Sequence, residues 1–170
     1  IKLTGYTPCF RREAGSYGSD VRGLNRLHQF DKVEIVRIED PINSYKVLNE
    51  MVEHVKNLLI ILELPFRIVR LCGGDLGFTS ALTYDFEVYA MGQNKWLEVS
   101  SVSNFESFQS NRLNLKIDFG DKKKHYAHTL NGSSLALPRI VACVLENFQE
   151  KDHIKIPEIL HKYTGFKQIN

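Results

Sequence analysis

The spacing of apolar and polar residues changes several times along this chain. Residues 3–13 carry the strand formers Tyr6, Thr7, Cys9 and Phe10 and end in charges. Strand character returns at Phe30 and continues through Val33, Ile35, Val36 and Ile38 to Glu39. Between them, Gly15, Gly18 and Gly23 lie among Ser, Asp and Arg, which predicts a long polar loop over 14–28. The pair suggests an antiparallel hairpin whose loop far exceeds the usual ~2–5 residues, and loops that long are usually functional or disordered.

A helical period follows. Asn43 or Ser44 can cap it. Its apolar stripe is Val47, Leu48, Met51, Val52, Val55, Leu58, Leu59 and Leu62, and Pro65 stops it. Next come a strand over 67–72, a turn rich in glycine (Gly73, Gly74, Gly77), and strands over 83–91 and 95–101. Residues 104–116 are polar and partly helical. A strand over 125–130 leads into the turn-like run Asn131-Gly132-Ser133-Ser134. A last long helix is expected to bury Leu135, Ile140, Val141, Val144, Leu145 and Phe148, and residues 152–170 form a tail with apolar points at Ile154, Ile156, Ile159 and Leu160. The fold class is therefore α+β: a mainly antiparallel sheet flanked by helices.

Composition narrows this only a little. The 170 residues suit one domain with a sizeable core. A net charge of +2 gives no electrostatic footprint for nucleic acid or membrane. Cys9, Cys72 and Cys143 are far apart with no Cys-x-x-Cys pair, so they read as reduced thiols, and a cytoplasmic setting is expected. No apolar run approaches the ~20 residues that cross a bilayer. The chain opens within strand-like sequence, lacks an initiating Met and has no signal-peptide core, which suggests a fragment.

Three constellations could carry chemistry. In Phe10-Arg11-Arg12-Glu13 and Phe30-Asp31-Lys32-Val33-Glu34, strand alternation puts Arg11 with Glu13 and Phe30 with Lys32 and Glu34. A guanidinium suits phosphate and a flat ring suits a purine; the alternative is an exposed hairpin with charged outer positions. In Trp96-Leu97-Glu98-Val99-Ser100-Ser101, Glu98 and a serine oxygen could hold Mg²⁺, or simply face solvent at a strand end. Asn131-Gly132-Ser133-Ser134 precedes a helix with Pro138 and Arg139 in its first turn; free N–H groups there could meet an anion, though a helical Arg is usually solvated.

The order of these features resembles the second and third signature motifs of class II aminoacyl-tRNA synthetases. More closely, Pro8-Cys9-Phe10-Arg11-Arg12-Glu13-Ala14-Gly15-Ser16-Tyr17-Gly18, Arg22-Gly23-Leu24 and His28-Gln29-Phe30 are similar to the seryl-tRNA synthetase family. So are Gly74-Asp75-Leu76-Gly77, the run Glu98 to Phe105, and Thr129-Leu130-Asn131-Gly132-Ser133. The resemblance covers nearly the whole chain. It implies the C-terminal part of a catalytic domain over 1–170, incomplete at its N-terminus, whose parent activates L-serine with ATP and transfers it to tRNA(Ser). The selenocysteine tRNA is implied as a further partner and a homodimer as the assembly.

The resemblance also assigns residues. Arg11 would bind the ATP α-phosphate and the serine carboxylate, Glu13 the adenine side, and Arg26 the terminal phosphates. Phe30 and Arg139 would enclose adenine. Glu98 and Ser101 would hold Mg²⁺, and Glu34 and Ser133 would bind serine. Arg12, Val99 and Ser100 complete the ATP-binding set; Arg11, Glu98 and Arg139 are the catalytic candidates. Strand alternation leaves one difficulty, since Glu98 and Ser101, three apart, should point opposite ways unless the strand bends. Ser134 and Leu137-Pro138-Arg139 depart from the family's usual glycine-containing run. The coiled-coil arm, first signature motif and Thr-x-Glu loop are not in this sequence, so these 170 residues alone are expected not to complete aminoacylation. An alternative is a synthetase-like paralogue that loads a non-tRNA carrier; a decayed interaction module is a third reading.

Overall fold

The computed structural model describes residues 1–12, 23–120 and 123–170. In chain order the strands are β1 (Lys2–Phe10), β2 (Gln29–Glu39), β3 (Phe66–Arg70), β4 (Leu82–Ala90), β5 (Lys95–Asn104), β6 (Lys116–Ile117), β7 (His125–Tyr126), β8 (His128–Ala136), β9 (Ile154–Lys155) and β10 (Gln168–Ile169). The helices are α1 (Ser44–Ile61), α2 (Phe108–Leu113), α3 (Leu137–Asn147) and the single turn α4 (His161–Thr164). Six strands form one sheet in the order β1-β2-β8-β5-β4-β3, with every neighbouring pair antiparallel. The α+β expectation holds.

β1 and β2 pair without interruption from Lys2↔Arg37 to Phe10↔Gln29, so the expected hairpin is present. Most of its loop, including Glu13, lies outside the described residues, as do Asp121 and Lys122. α1 begins at a buried Ser44, whose hydroxyl meets the Pro41 carbonyl (3.1 Å), His128 Nδ1 (2.8 Å) and Asn104 Nδ2 (3.2 Å). That knot ties the helix start to β5 and β8. α1 ends before Pro65: Glu63 turns left-handed (φ 55°) and Leu64 N–H donates back to the Leu59 carbonyl at 3.2 Å. Leu48, Val55 and Leu59 of α1 join Phe86, Val88, Val99, Val102 and Leu130 of the sheet and Ile140, Cys143 and Val144 of α3 in one core.

Three expectations need correction. Asn131-Gly132-Ser133-Ser134 is not a turn but the middle of β8. Its turn-prone letters serve close packing: a Cβ on Gly132 would stand 2.8 Å from the Ser101 carbonyl and from Val102 Cγ2. Helix α3 starts three residues later with Pro138 in its first turn, and Val141 faces solvent while Ala142 and Cys143 are buried. Within the 152–170 tail, β9 and β10 pair with each other.

Two irregularities in the sheet matter most. On β5, Ser100 pairs with Phe86 but Glu98 with Glu87, so Val99 is an extra residue. The buried set switches there from Leu97 and Val99 to Ser100, Val102 and Asn104. On β8, Ala136 pairs with Lys32 and Ser133 with Glu34, so Ser134 and Leu135 together oppose Val33. The core-facing set switches there from Leu130 and Gly132 to Leu135. Gly132→Ala is expected to cost about 1–3 kcal/mol through overpacking at the β5–β8 contact; a urea midpoint equal to that of the parent would contradict this.

Candidate active site

Residues from five elements line one pocket of about 190 Å³. Arg11 enters from the end of β1, and Phe30 and Lys32 from β2. Glu98 to Ser101 come from β5, Ser133 and Ala136 from β8, and Pro138 and Arg139 from α3. Asn25 and Arg26 come from the segment returning to β2. The Arg11 N–H donates to the His28 carbonyl (2.8 Å), extending the hairpin ladder by one step. Its guanidinium lies over the Phe30 ring, 4.8 Å from the centroid, within cation–π range.

Arg139 is tethered twice. Its Nε donates to the Asn25 carbonyl at 3.1 Å, and its Nη1 donates to the Glu98 carbonyl. One helical turn on, burial pushes the Cys143 thiol up to about 12.

The two strand irregularities determine what shares this pocket. The extra Val99 brings Glu98 and Ser101 into one lining, and the β8 irregularity does the same for Ser133 and Ala136. The bend that strand alternation demanded is therefore present. Burial holds the Glu98 carboxyl above the usual carboxylate range; neighbouring Asp85 adds to this, while Arg139 and Arg11 pull the other way. Glu98 is exposed as a residue and lines the open pocket, where the protein beside it desolvates the carboxyl only in part. Asp85 pairs with Ser101 across the sheet. Burial raises its pKa against a side-chain hydrogen bond from Ser101, and its Oδ1 is buried without a partner.

Glu34 and Ser133 are cross-strand partners. The Ser133 hydroxyl donates to Glu34 Oε2 at 3.4 Å, and Lys32 Nζ is 2.9 Å from the same oxygen. Glu34 thus stands just behind the lining. Arg12 is exposed and does not line the pocket. Sequence reading missed Asn25, Ala136 and Asp85. Asp85 had a weak signal, an acid in a mostly apolar strand, which it shares with Glu87. Asn25 had none.

Residues 1–148 match the model of the tRNA synthetase class II core domain (G, H, P, S and T). The chain belongs to that class II core family. The class II core here is 57% identical over 166 residues to a serine--tRNA ligase of Salinibacter ruber and 53% identical over 171 residues to one of Finegoldia magna. These matches take in 96% and 100% of the chain but only 39% and 41% of the relatives. Among solved structures, it superposes on the seryl-tRNA synthetase of Pyrococcus horikoshii complexed with ATP at a TM-score of 0.95 and 43% identity, over 99% of this chain and 38% of that one. The cytoplasmic serine-tRNA ligase of Naegleria fowleri in complex with AMP gives 0.94 and 32%, over 100% and 41%. No helix among the described residues is long and apolar enough to cross a membrane.

A raised folded-state pKa means that ionising Glu98 opposes folding. Its contribution to stability is full below its unfolded pKa and is lost as pH rises through the folded one. Glu98→Gln is therefore expected to hold or raise the melting temperature of the ligand-free protein at neutral pH, with any gain shrinking as pH falls towards ~4. A clear drop at neutral pH would contradict this.

Proposed function

We propose that this chain is the C-terminal part of the catalytic domain of a serine–tRNA ligase, and that its pocket binds ATP and activates L-serine. The convergence of Arg11, Phe30, Glu98, Ser101, Ser133 and Arg139 on one pocket carries the reading. The likeness to structures complexed with ATP and AMP supports it.

In this reading adenine lies between the Phe30 ring and the Arg139 guanidinium. Arg11 faces the α-phosphate and the serine carboxylate, and Arg26 the terminal phosphates. A serine carboxylate oxygen attacks the α-phosphorus, the bond to the bridging oxygen breaks, and pyrophosphate leaves with that electron pair. Seryl-adenylate results, and the seryl group then passes to the 3′ end of tRNA(Ser). No protein nucleophile is required; positioned cations offset the charge that develops on the phosphoryl oxygens. Ser133 and Glu34 together offer a donor and an acceptor to the serine hydroxyl and ammonium, and analogues lacking those groups would leave buried polar atoms unpaired.

The residues present fit Mg²⁺. Glu98 is a carboxylate disfavoured in its ionised form, Ser101 supplies an oxygen, and the orphaned Asp85 Oδ1 adds negative charge behind them. Among the described residues no group of three His, Cys, Asp or Glu could hold a metal alone, which suits an ion that takes much of its shell from phosphates and water. Glu98 and Ser101 would hold Mg²⁺, and the bound ion would supply positive charge against that of the phosphates. A homodimer and recognition of the selenocysteine tRNA belong to the same proposal for the full-length protein. A paralogue loading another carrier is not favoured, because the relatives named above, matched over nearly all of this chain, are serine--tRNA ligases.

Serine-dependent ATP–pyrophosphate exchange by the full-length protein, followed by charging of tRNA(Ser), tests the reading. Arg11→Ala is expected to lower exchange by about 10²-fold or more, the scale for losing one preorganised charge donor. Exchange equal to that of the parent would remove Arg11 from its role.

A further inference from the structure

A chain of polar contacts begins at Arg139 and ends on the same helix. Glu146 lies seven residues after Arg139 on α3, two turns along one face. Its Oε2 accepts the backbone N–H of Gln93 at 3.1 Å, and its Oε1 accepts the Gln93 side-chain Nε2. The Gln93 amide also exchanges hydrogen bonds with the Asn25 amide. Asn25 Nδ2 donates to Gln93 Oε1, and Gln93 Nε2 reaches Asn25 Oδ1 at 3.4 Å. The Asn25 carbonyl then accepts Arg139 Nε. Gly92 permits the approach, since a Cβ there would meet the Glu146 carboxylate 3.1 Å away. Helix, β4–β5 turn and loop are thus closed into a ring by residues 53 to 114 positions apart in sequence.

Gln93 and Glu146 do not line the pocket, whereas Asn25, Arg26 and Arg139 do. Both oxygens of Glu146 are engaged by N–H groups of one residue, a geometry set by direction rather than by ion pairing. We infer that Gln93 and Glu146 are positioning residues: by fastening Asn25 they hold Arg139, and with it the cover of the nucleotide. This rests on the nucleotide reading of the pocket. Without the latch Arg139 keeps one firm tether, the Glu98 carbonyl. The serine side of the pocket, built on β2 and β8, is untouched.

The test uses the full-length protein. Gln93→Ala is expected to raise KM for ATP about tenfold in pyrophosphate exchange while kcat and KM for serine stay within about twofold, because ground-state placement of one substrate is lost. Gln93→Glu should behave alike, since it sets two carboxylates face to face. The swap Gln93→Glu with Glu146→Gln restores a donor–acceptor pair and should recover most of the ATP KM. Hydrogen exchange of ligand-free protein should show faster exchange of amides 23–27 in Gln93→Ala. An unchanged ATP KM, a swap that recovers nothing, or unchanged exchange over 23–27 would each overturn the proposal. A parent protein with no serine-dependent exchange would sink the functional reading and the nucleotide role with it; the ligand-free hydrogen exchange would still report separately on whether the latch holds the loop.

Discussion

Side chains on a regular strand alternate between two faces, so residues three apart point away from each other. Neighbouring strands β5 and β8 each break that rule once, at Val99 and at Ser134–Leu135. The site depends on both breaks. On one side they let Glu98 and Ser101, and Ser133 and Ala136, share a lining. On the other they keep Val99, Val102, Leu130 and Leu135 in the core. A single skipped residue in each strand satisfies the hydrophobic interior and the polar pocket at once. Gly132 packs directly against Ser101 and Val102 of β5, and a side chain there would force the two strands apart.

The pocket's charges are arranged by the same framework. Asp85 and Glu98 are carboxylates that burial pushes towards neutrality; a hydrogen bond from Ser101 opposes this at Asp85, and Arg139 and Arg11 oppose it at Glu98. Arg139 is fixed by two backbone carbonyls and Arg11 by the hairpin ladder and the Phe30 face. In the function proposed above, cations held in this way would meet a polyanion already in place, which is how preorganised sites lower barriers.

Local patterns in the sequence were sufficient for much of this. The α1 stripe, the β1–β2 hairpin and the alternation of Phe30, Lys32 and Glu34 follow from period and turn chemistry, and the structure keeps them. Asn131-Gly132-Ser133-Ser134 misled because its small residues look like a turn, whereas pairing to two neighbours holds them extended. The register breaks could not be foreseen, because an extra residue is defined only against a partner strand. The partners of Asn25 were equally hidden: they lie 68 and 114 positions away, and neither a stripe nor a motif announces them. Glu13 lies outside the described residues, so its place rests on the resemblance alone.

Cys143 sits one turn past Arg139 with a thiol buried and pushed up to about 12. It stays neutral at ordinary pH and adds no anion beneath the guanidinium. Thiolate is the reactive form, so this sulfur is shut off from alkylating reagents by both charge and access. Cys72 is open to solvent beyond β3, and Cys9 is partly so at the end of the hairpin. A maleimide dye would thus attach near the two edge strands of the sheet and spare α3, leaving this chain with its own pair of optical reporters.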